Sequence, residues 1–271
     1  MLRRIALFSS FAVLTTASLA ADLPRRAPAY APAPAVSYAP VGNWQGFYAG
    51  VNAGLTWSRV SQSQLIGVGA YPAFTAANIA GIQGAAAAQA LKGSGFTGGL
   101  QAGYNWQFDK IVLGVEGDFN GNAGGSKTAA TIGVYGAPAG PNTFTLAQTV
   151  KNNWMGTLRG RVGYSFGEAL IYATGGLAAG NVTFGRTFAD TNGPVANQTV
   201  STSKTKLGYV LGGGIEYALT RNWSIKGEYL YADLGKTANA GLIGPIATQH
   251  VMSGSASLRR QSIRLGVNYR F

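Results

Sequence analysis

Eight stretches of the chain alternate apolar and polar side chains with a period of two, which is how a strand with one oily and one wet face reads. In QSIRLGVNYRF, residues 261–271, Ile263, Leu265, Val267, Tyr269 and Phe271 share one parity, and Ser262, Arg264, Gly266, Asn268 and Arg270 the other. GFYAGVNAGLTW (46–57) sets Phe47, Val51, Leu55 and Trp57 against Tyr48, Asn52 and Thr56. GFTGGLQAGYNWQF (95–108) sets Phe96, Leu100, Tyr104, Trp106 and Phe108 against Thr97, Gln101 and Asn105, and IVLGVEGDF (111–119) opposes Ile111, Leu113, Val115 and Phe119 to Glu116 and Asp118. WMGTLRGRVGYSF (154–166), KLGYVLGGGIEYAL (206–219) and NWSIKGEYLYADL (222–234) behave alike. ALIYATGGLAAGNVTF (169–184) is less regular, with Leu170, Tyr172, Val182 and Phe184 defining its apolar phase.

Short and long connections alternate between these stretches. Tight turns are expected at Asp109-Lys110, Gly167-Glu168 and Thr220-Arg221; long Gly-, Ala-, Ser- and Thr-rich loops are expected near 59–94, 121–152, 185–204 and 236–255. In the first long loop, IAGIQGAAAAQAL suggests a short helix. This alternation predicts an antiparallel up-and-down sheet with turns at one rim and loops at the other.

The aromatics favour a lipid-facing surface over a soluble sandwich. Tyr104, Trp106, Phe108, Tyr164, Phe166, Tyr217, Tyr269 and Phe271 gather at the short-turn ends of their strands on the oily parity, with Phe47, Ile111, Leu170 and Trp223 beside them. A belt of rings at one rim is what a membrane interface selects. The other parity is crowded with glycine and sparse charges, so large apolar residues point out and small or polar ones in. The predicted fold is therefore all-β: an eight-stranded antiparallel up-and-down transmembrane β-barrel, whose first and last strands pair because a bilayer satisfies no open sheet edge.

Composition fits that setting. Among 271 residues there are 40 Gly, no Cys and only 11% charged residues, with a formal net charge of +12. Residues 1–20 carry Arg3 and Arg4, an apolar run from Ile5 to Leu14, and small residues Ser18 and Ala20, the pattern of a cleavable signal peptide. Residues 21–43 alternate Ala and Pro and are expected to form an extended periplasmic lead; the barrel is assigned to 44–271. The exported chain stays strongly basic. Outer-leaflet lipids and lipopolysaccharide phosphates are the partners such charge would meet, while a basic cluster interleaved with aromatics on a soluble face, as nucleic-acid binding needs, is not seen.

An eight-stranded barrel has a lumen that side chains can fill. Glu116, Asp118, Arg159, Arg161, Glu216, Lys226, Glu228, Arg264 and Arg270 all fall on the inward parity, and opposite charges confined there are expected to pair, closing the lumen. The reading is a monomeric structural and surface-interaction barrel; a small passive porin-like channel is the alternative. Enzymatic chemistry is not expected: with no Cys and a single histidine, His250, far in sequence from any carboxylate, no nucleophile and base are brought together. No metal or cofactor motif is visible.

WQGFYAGVNAG, FTGGLQAGYNWQF, LIYATGGLAAG and LGVNYRF, after the signal and the Ala/Pro lead, together resemble the alphaproteobacterial outer-membrane β-barrel family of porin-like surface antigens, similar in fold to the OmpA transmembrane barrel. The resemblance covers residues 44–271. It implies location in the outer membrane and that Phe271 serves as the signal read by the outer-membrane barrel assembly machinery. It leaves no room for a C-terminal peptidoglycan-binding domain. It also opens a second alternative, a haemin-binding surface receptor, with His250 as the iron ligand and Lys236, Arg259 and Arg260 near the propionates.

Overall fold

The structure, a computed structural model, describes residues 42–66, 80, 81, 84, 91–124, 127–137, 140–190, 198–243 and 250–271. The expected signal peptide and all of the lead but Gly42 and Asn43 lie outside the described residues. Ten strands follow in order: β1 Gly46–Ile66, β2 Leu91–Phe108, β3 Ile111–Ala123, β4 Lys127–Ala137, β5 Gly140–Lys151, β6 Trp154–Ser165, β7 Ala169–Asp190, β8 Gln198–Ala218, β9 Trp223–Ile243 and β10 His250–Arg270. Eight of them close a barrel in the order β1-β2-β3-β6-β7-β8-β9-β10, all neighbours antiparallel. The seam runs from Tyr48↔Arg270 to Ile66↔Met252, and the Phe271 N–H donates to the Phe47 carbonyl at 3.0 Å. Within this eight-stranded ring no edge is left open, so backbone donors at membrane depth pair with neighbouring strands.

The three short turns form where expected. Asp109 adopts a left-handed backbone (φ 54°), and Gly167 does so at φ 79°, conformations that let two strands reverse within a couple of residues. The long connections differ from expectation. β1 continues to Ile66, β7 to Asp190, β9 to Ile243 and β10 begins at His250, so most of the residues read as loop are strand. Between β3 and β6, β4 and β5 form a hairpin, and β5 pairs with β7 from Phe144↔Asp190 to Lys151↔Thr183, just past the point where β6 leaves it at Met155↔Gly180. The hairpin thus continues the wall of the barrel. In the outer parts of β1 and β8 polar residues take both parities, so the two-residue alternation fades although the ladder persists, whereas β5 keeps it, with Phe144, Leu146 and Val150 buried. Within the expected short helix, Ala80, Gly81 and Gly84 have helical backbone.

Burial inverts that of a soluble protein. Leu265, Leu100, Leu158 and Leu177 are exposed, Leu265 by 71%, whereas Arg159, Glu216, Lys226 and Arg264 are buried, Arg159 to 1%. At the short-turn rim Phe47 meets Tyr104 edge-on at 4.6 Å, and Tyr269 meets Trp223 and Phe271 at 5.1 and 5.2 Å. A second belt, unremarked in the sequence, lies at the opposite end of the apolar band: Trp57, the stacked pair Phe119–Trp154 (5.5 Å) and Tyr209–Tyr231 (6.3 Å). From Phe47 to Trp57 a strand tilted by ~40° climbs about 25 Å, the height of the apolar band on outer-membrane barrels.

β7 corrects one phase. Leu170, Tyr172, Val182 and Phe184 point inward and are buried, and Ile171 and Leu177 form the outer face. Leu170 therefore belongs to a seal inside the barrel and not to the rim belt. Gly175, Gly176, Ala178 and Ala179 blank out the contrast in mid-strand, and the large inward residues at its two ends pack into apolar layers of the lumen.

Candidate functional site

Each strand delivers inward side chains at every second position, and cross-strand register decides which meet. Glu116 on β3 lies opposite Arg159 on β6, Glu228 on β9 opposite Arg264 on β10, and Glu216 on β8 opposite Lys226 on β9. Across the lumen these pairs fuse. Arg159 bridges Glu116, Asp118 (2.9 Å) and Glu228 (2.8 Å); Lys226 donates to both oxygens of Glu116 at 2.8 Å; Arg264 reaches Glu228 at 2.7 Å and Asp118 at 3.2 Å; Arg161 holds Glu216 at 2.9 Å. Four cations thus face four carboxylates, all with side chains at most 3% exposed. Charge at the centre of the barrel sums to zero, as a low-dielectric interior demands.

Neutral donors complete the shell around the carboxylates. Tyr48 donates to Glu116 at 2.7 Å, Tyr172 to Glu228 at 3.0 Å, Ser224 and Asn268 to Glu216 at 2.6 and 2.8 Å, and Thr157 to Asp118. The Arg161 guanidinium also lies 4.2 Å above the Tyr172 ring. None of these neutral residues stands out in the sequence, because a Tyr or Ser on the wet parity of a strand looks ordinary until its cross-lumen neighbour is known.

Glycine is what lets such large groups share a narrow tube. Tyr48 lies opposite Gly103, Arg159 opposite Gly176, Arg264 opposite Gly54 and Tyr172 opposite Gly214. A Cβ on Gly103 would come 2.4 Å from the Tyr48 hydroxyl and 2.5 Å from the Val115 carbonyl oxygen; one on Gly214 would come 2.8 Å from the Tyr172 hydroxyl. Pairing large with absent side chains fills the lumen without spreading the wall.

Apolar layers bracket the ionic one. At the short-turn mouth, fully buried Trp44 packs with Val112, Leu170, Tyr172 and Ala218 and donates its indole N–H to the Gly167 carbonyl at 3.1 Å. Toward the other end, Val60, Val150, Met155, Ala178, Val182, Phe184, Val210, Leu230, Ala232, Leu234 and Leu258 form a collar. Arg270 lies apart from the network: its guanidinium stacks 4.7 Å from the Trp44 ring and donates to the Asn43 carbonyl at 2.6 Å.

Two further inward arginines sit toward the long-strand end, away from every carboxylate of the network. Arg260 donates to Asn152 at 2.8 Å and Asn122 at 2.5 Å. Arg186, buried and directly opposite Gln148, lies 5.4 Å from the Phe184 ring, and among the described residues its Nε and Nη2 have no acceptor. His250 opens β10 opposite Ile243, and its side chain lies outside the described residues. Among the described residues no three or more His, Cys, Asp or Glu side chains cluster as metal ligands.

Comparison with known proteins turns this geometry into an identity. Residues 12–271 match the sequence model of the family described as outer membrane protein beta-barrel domain. The chain belongs to that family. A 31 kDa outer-membrane immunogenic protein of Brucella melitensis is 34% identical over 273 residues, covering 100% of both chains, and a 25 kDa outer-membrane immunogenic protein of Brucella abortus is 28% identical over 240 residues, covering 89% of this chain and 84% of its own. Among solved structures, the outer membrane protein OprG from Pseudomonas aeruginosa aligns with a TM-score of 0.48 at 14% identity, covering 86% of this chain and 99% of its own.

As a member of this outer-membrane family the barrel resides in the bacterial outer membrane, with the short turns periplasmic and the long strands extracellular. Its charge is then strongly polarised. Arg59, Lys92, Lys127, Lys151, Arg186, Lys204, Lys206, Lys236, Arg259 and Arg260 all lie in the extracellular half, against Asp190 and Asp233 alone. That end carries a formal charge of +8 out of the chain's +12.

Proposed function

We propose that the protein is a closed, monomeric barrel that serves the outer membrane as a structural wall element and presents its basic extracellular end to the surface. One observation carries this reading: a charge-balanced layer of four cations and four carboxylates, sealed below by the Trp44 cluster and above by the apolar collar. Moving an ion through it requires breaking several buried pairs at once, each worth about 3–5 kcal/mol when one partner is lost. The Brucella relatives are described as immunogenic, and the extracellular strand ends are the part of such a barrel open to recognition from outside. Cleavage after residue 20, an extended periplasmic lead at 21–43 and use of Phe271 by the assembly machinery belong to the same proposal.

The passive-channel alternative is separated by electrical recording. Purified protein inserted into planar bilayers is expected to leave the membrane at its baseline current at moderate voltages. Steady, voltage-independent unitary openings would replace the structural reading with the channel one.

A further inference from the structure

We propose a binding site for the phosphate groups of an outer-leaflet glycolipid on the lipid-facing wall, formed by Lys92 of β2, Arg59 of β1 and Arg259 of β10. The proposal rests on the assignment of the long-strand end to the extracellular side. Arg59 lies directly opposite Lys92 on one neighbour and opposite Arg259 on the other, so three cations stand in one row across three adjacent strands. All three face outward and are exposed. Directly opposed side chains on a sheet have Cβ atoms about 5 Å apart, and like charges so placed repel and destabilise the pairing. Packing alone therefore gives the row no reason to exist.

Its surroundings supply one. Two positions toward the membrane, Ser94, Trp57, Gln261 and Tyr231 form the next row, so the cations sit immediately above the extracellular aromatic belt, where headgroups replace hydrocarbon. The cationic and aromatic rows together line a surface groove of about 580 Å³. The wall is also irregular at this height. The β9–β10 register shifts between Ser257 and Arg259, and Gly235 of β9 takes a left-handed backbone (φ 68°). Bulges of this kind re-aim side chains. Here the bulge places Asp233 opposite Arg259, but the carboxylate is shared: one oxygen accepts from the Gly235 N–H at 2.8 Å and the other from Arg259 Nε at 3.2 Å. Among the described residues, Arg259 hydrogen-bonds a carboxylate through its Nε alone, and Arg59 and Lys92 have no carboxylate partner. A phosphorylated sugar headgroup fits this arrangement: phosphate oxygens accept from the fork of two guanidiniums and an ammonium, the sugar lies on Trp57 and Tyr231, and the acyl chains follow the apolar wall below.

The test is lipopolysaccharide binding to detergent-folded protein, read by native mass spectrometry and by the unfolding temperature. Wild-type protein is expected to retain the phosphorylated lipid and to unfold at a higher temperature with it; dephosphorylated lipid and inorganic phosphate are expected to do neither. Each basic residue near a membrane surface contributes about fivefold to anionic-lipid affinity, so Arg59→Gln/Lys92→Gln/Arg259→Gln should weaken retention roughly a hundredfold. Arg59→Glu provides the check against misfolding: an acid between Lys92 and Arg259 should raise the unfolding temperature in plain detergent while abolishing the response to lipid. Full retention by the triple variant, or a lower unfolding temperature for Arg59→Glu without lipid, overturns the site. An equal response to inorganic phosphate overturns the lipid assignment. None of these outcomes depends on whether the lumen conducts.

Discussion

Arg159 is the keystone of the lumen, and its removal gives the most quantitative prediction. Its guanidinium touches three of the four central carboxylates, Glu116, Asp118 and Glu228, with its side chain wholly inaccessible. In Arg159→Met the long apolar side chain preserves much of the volume, but four carboxylates then face three cations. Removing one partner from a buried ion pair costs about 3–5 kcal/mol, because the orphaned charge keeps its desolvation penalty and loses its compensation. With a urea dependence on the order of 2–3 kcal/mol per M, the unfolding midpoint should fall by roughly 1–2 M. Adding Glu228→Gln restores the balance at three against three, and the double variant should recover about half or more of the loss. The assay is urea unfolding of protein folded into vesicles, followed by tryptophan fluorescence and by the gel mobility of unheated samples. An Arg159→Met midpoint within error of wild type would refute the reasoning, as would a double variant whose loss equals the sum of the single losses.

The same physics gives three further expectations. Trp44→Ala should cost about 3 kcal/mol by emptying the periplasmic seal, yet leave planar-bilayer current at baseline because the collar around Phe184 and Leu234 still closes the lumen. Arg186→Met should match or exceed wild type in urea midpoint, since it removes a buried charge that, among the described residues, has an aromatic ring and no acid beside it; a loss of stability above about 1 kcal/mol would contradict this. Gly103→Ala should lower the unfolding free energy by roughly 1–3 kcal/mol, and truncating Tyr48 as well should not restore it, because the added methyl also strikes the Val115 carbonyl; recovery in the Tyr48→Ala background would contradict this.

How much of this was legible in the sequence follows from where the environment differs between the two faces of a strand. Within the bilayer, lipid on one side and a polar lumen on the other write the alternation clearly, and β3, β6 and β10 could be read residue by residue. Beyond the bilayer that difference weakens, so the outer parts of β1, β9 and β10 look like loops; β5 does keep the alternation, with Phe144, Leu146 and Val150 buried between Thr143, Thr145 and Thr149, but threonine- and glycine-rich flanks give it the look of a loop. β7 misled for a related reason: Leu170 and Phe184 are apolar because they fill seals inside the lumen, and parity alone cannot distinguish an inward apolar layer from an outward one. The inward charges were visible as a set, but not the partition among them. Only the three-dimensional register separates Arg270, stacked on Trp44, from the four cations that hold the carboxylates, and only it reveals Tyr48, Tyr172 and Asn268 as their donors.

Spin labelling along β7 tests the central claim most directly, because this is the strand on which alternation and structure disagree. The chain has no cysteine, so single Cys substitutions can be labelled without background. In vesicles, labels at Ile171, Ala173 and Leu177 should collide freely with dissolved oxygen and poorly with a water-soluble nickel chelate, as groups in hydrocarbon do. Labels at Leu170, Thr174 and Ala178 should be shielded from both. Nickel access at Thr174, or oxygen access greater at Leu170 and Ala178 than at Ile171 and Leu177, would mean that the lumen is open or the strand inverted, and would contradict the account.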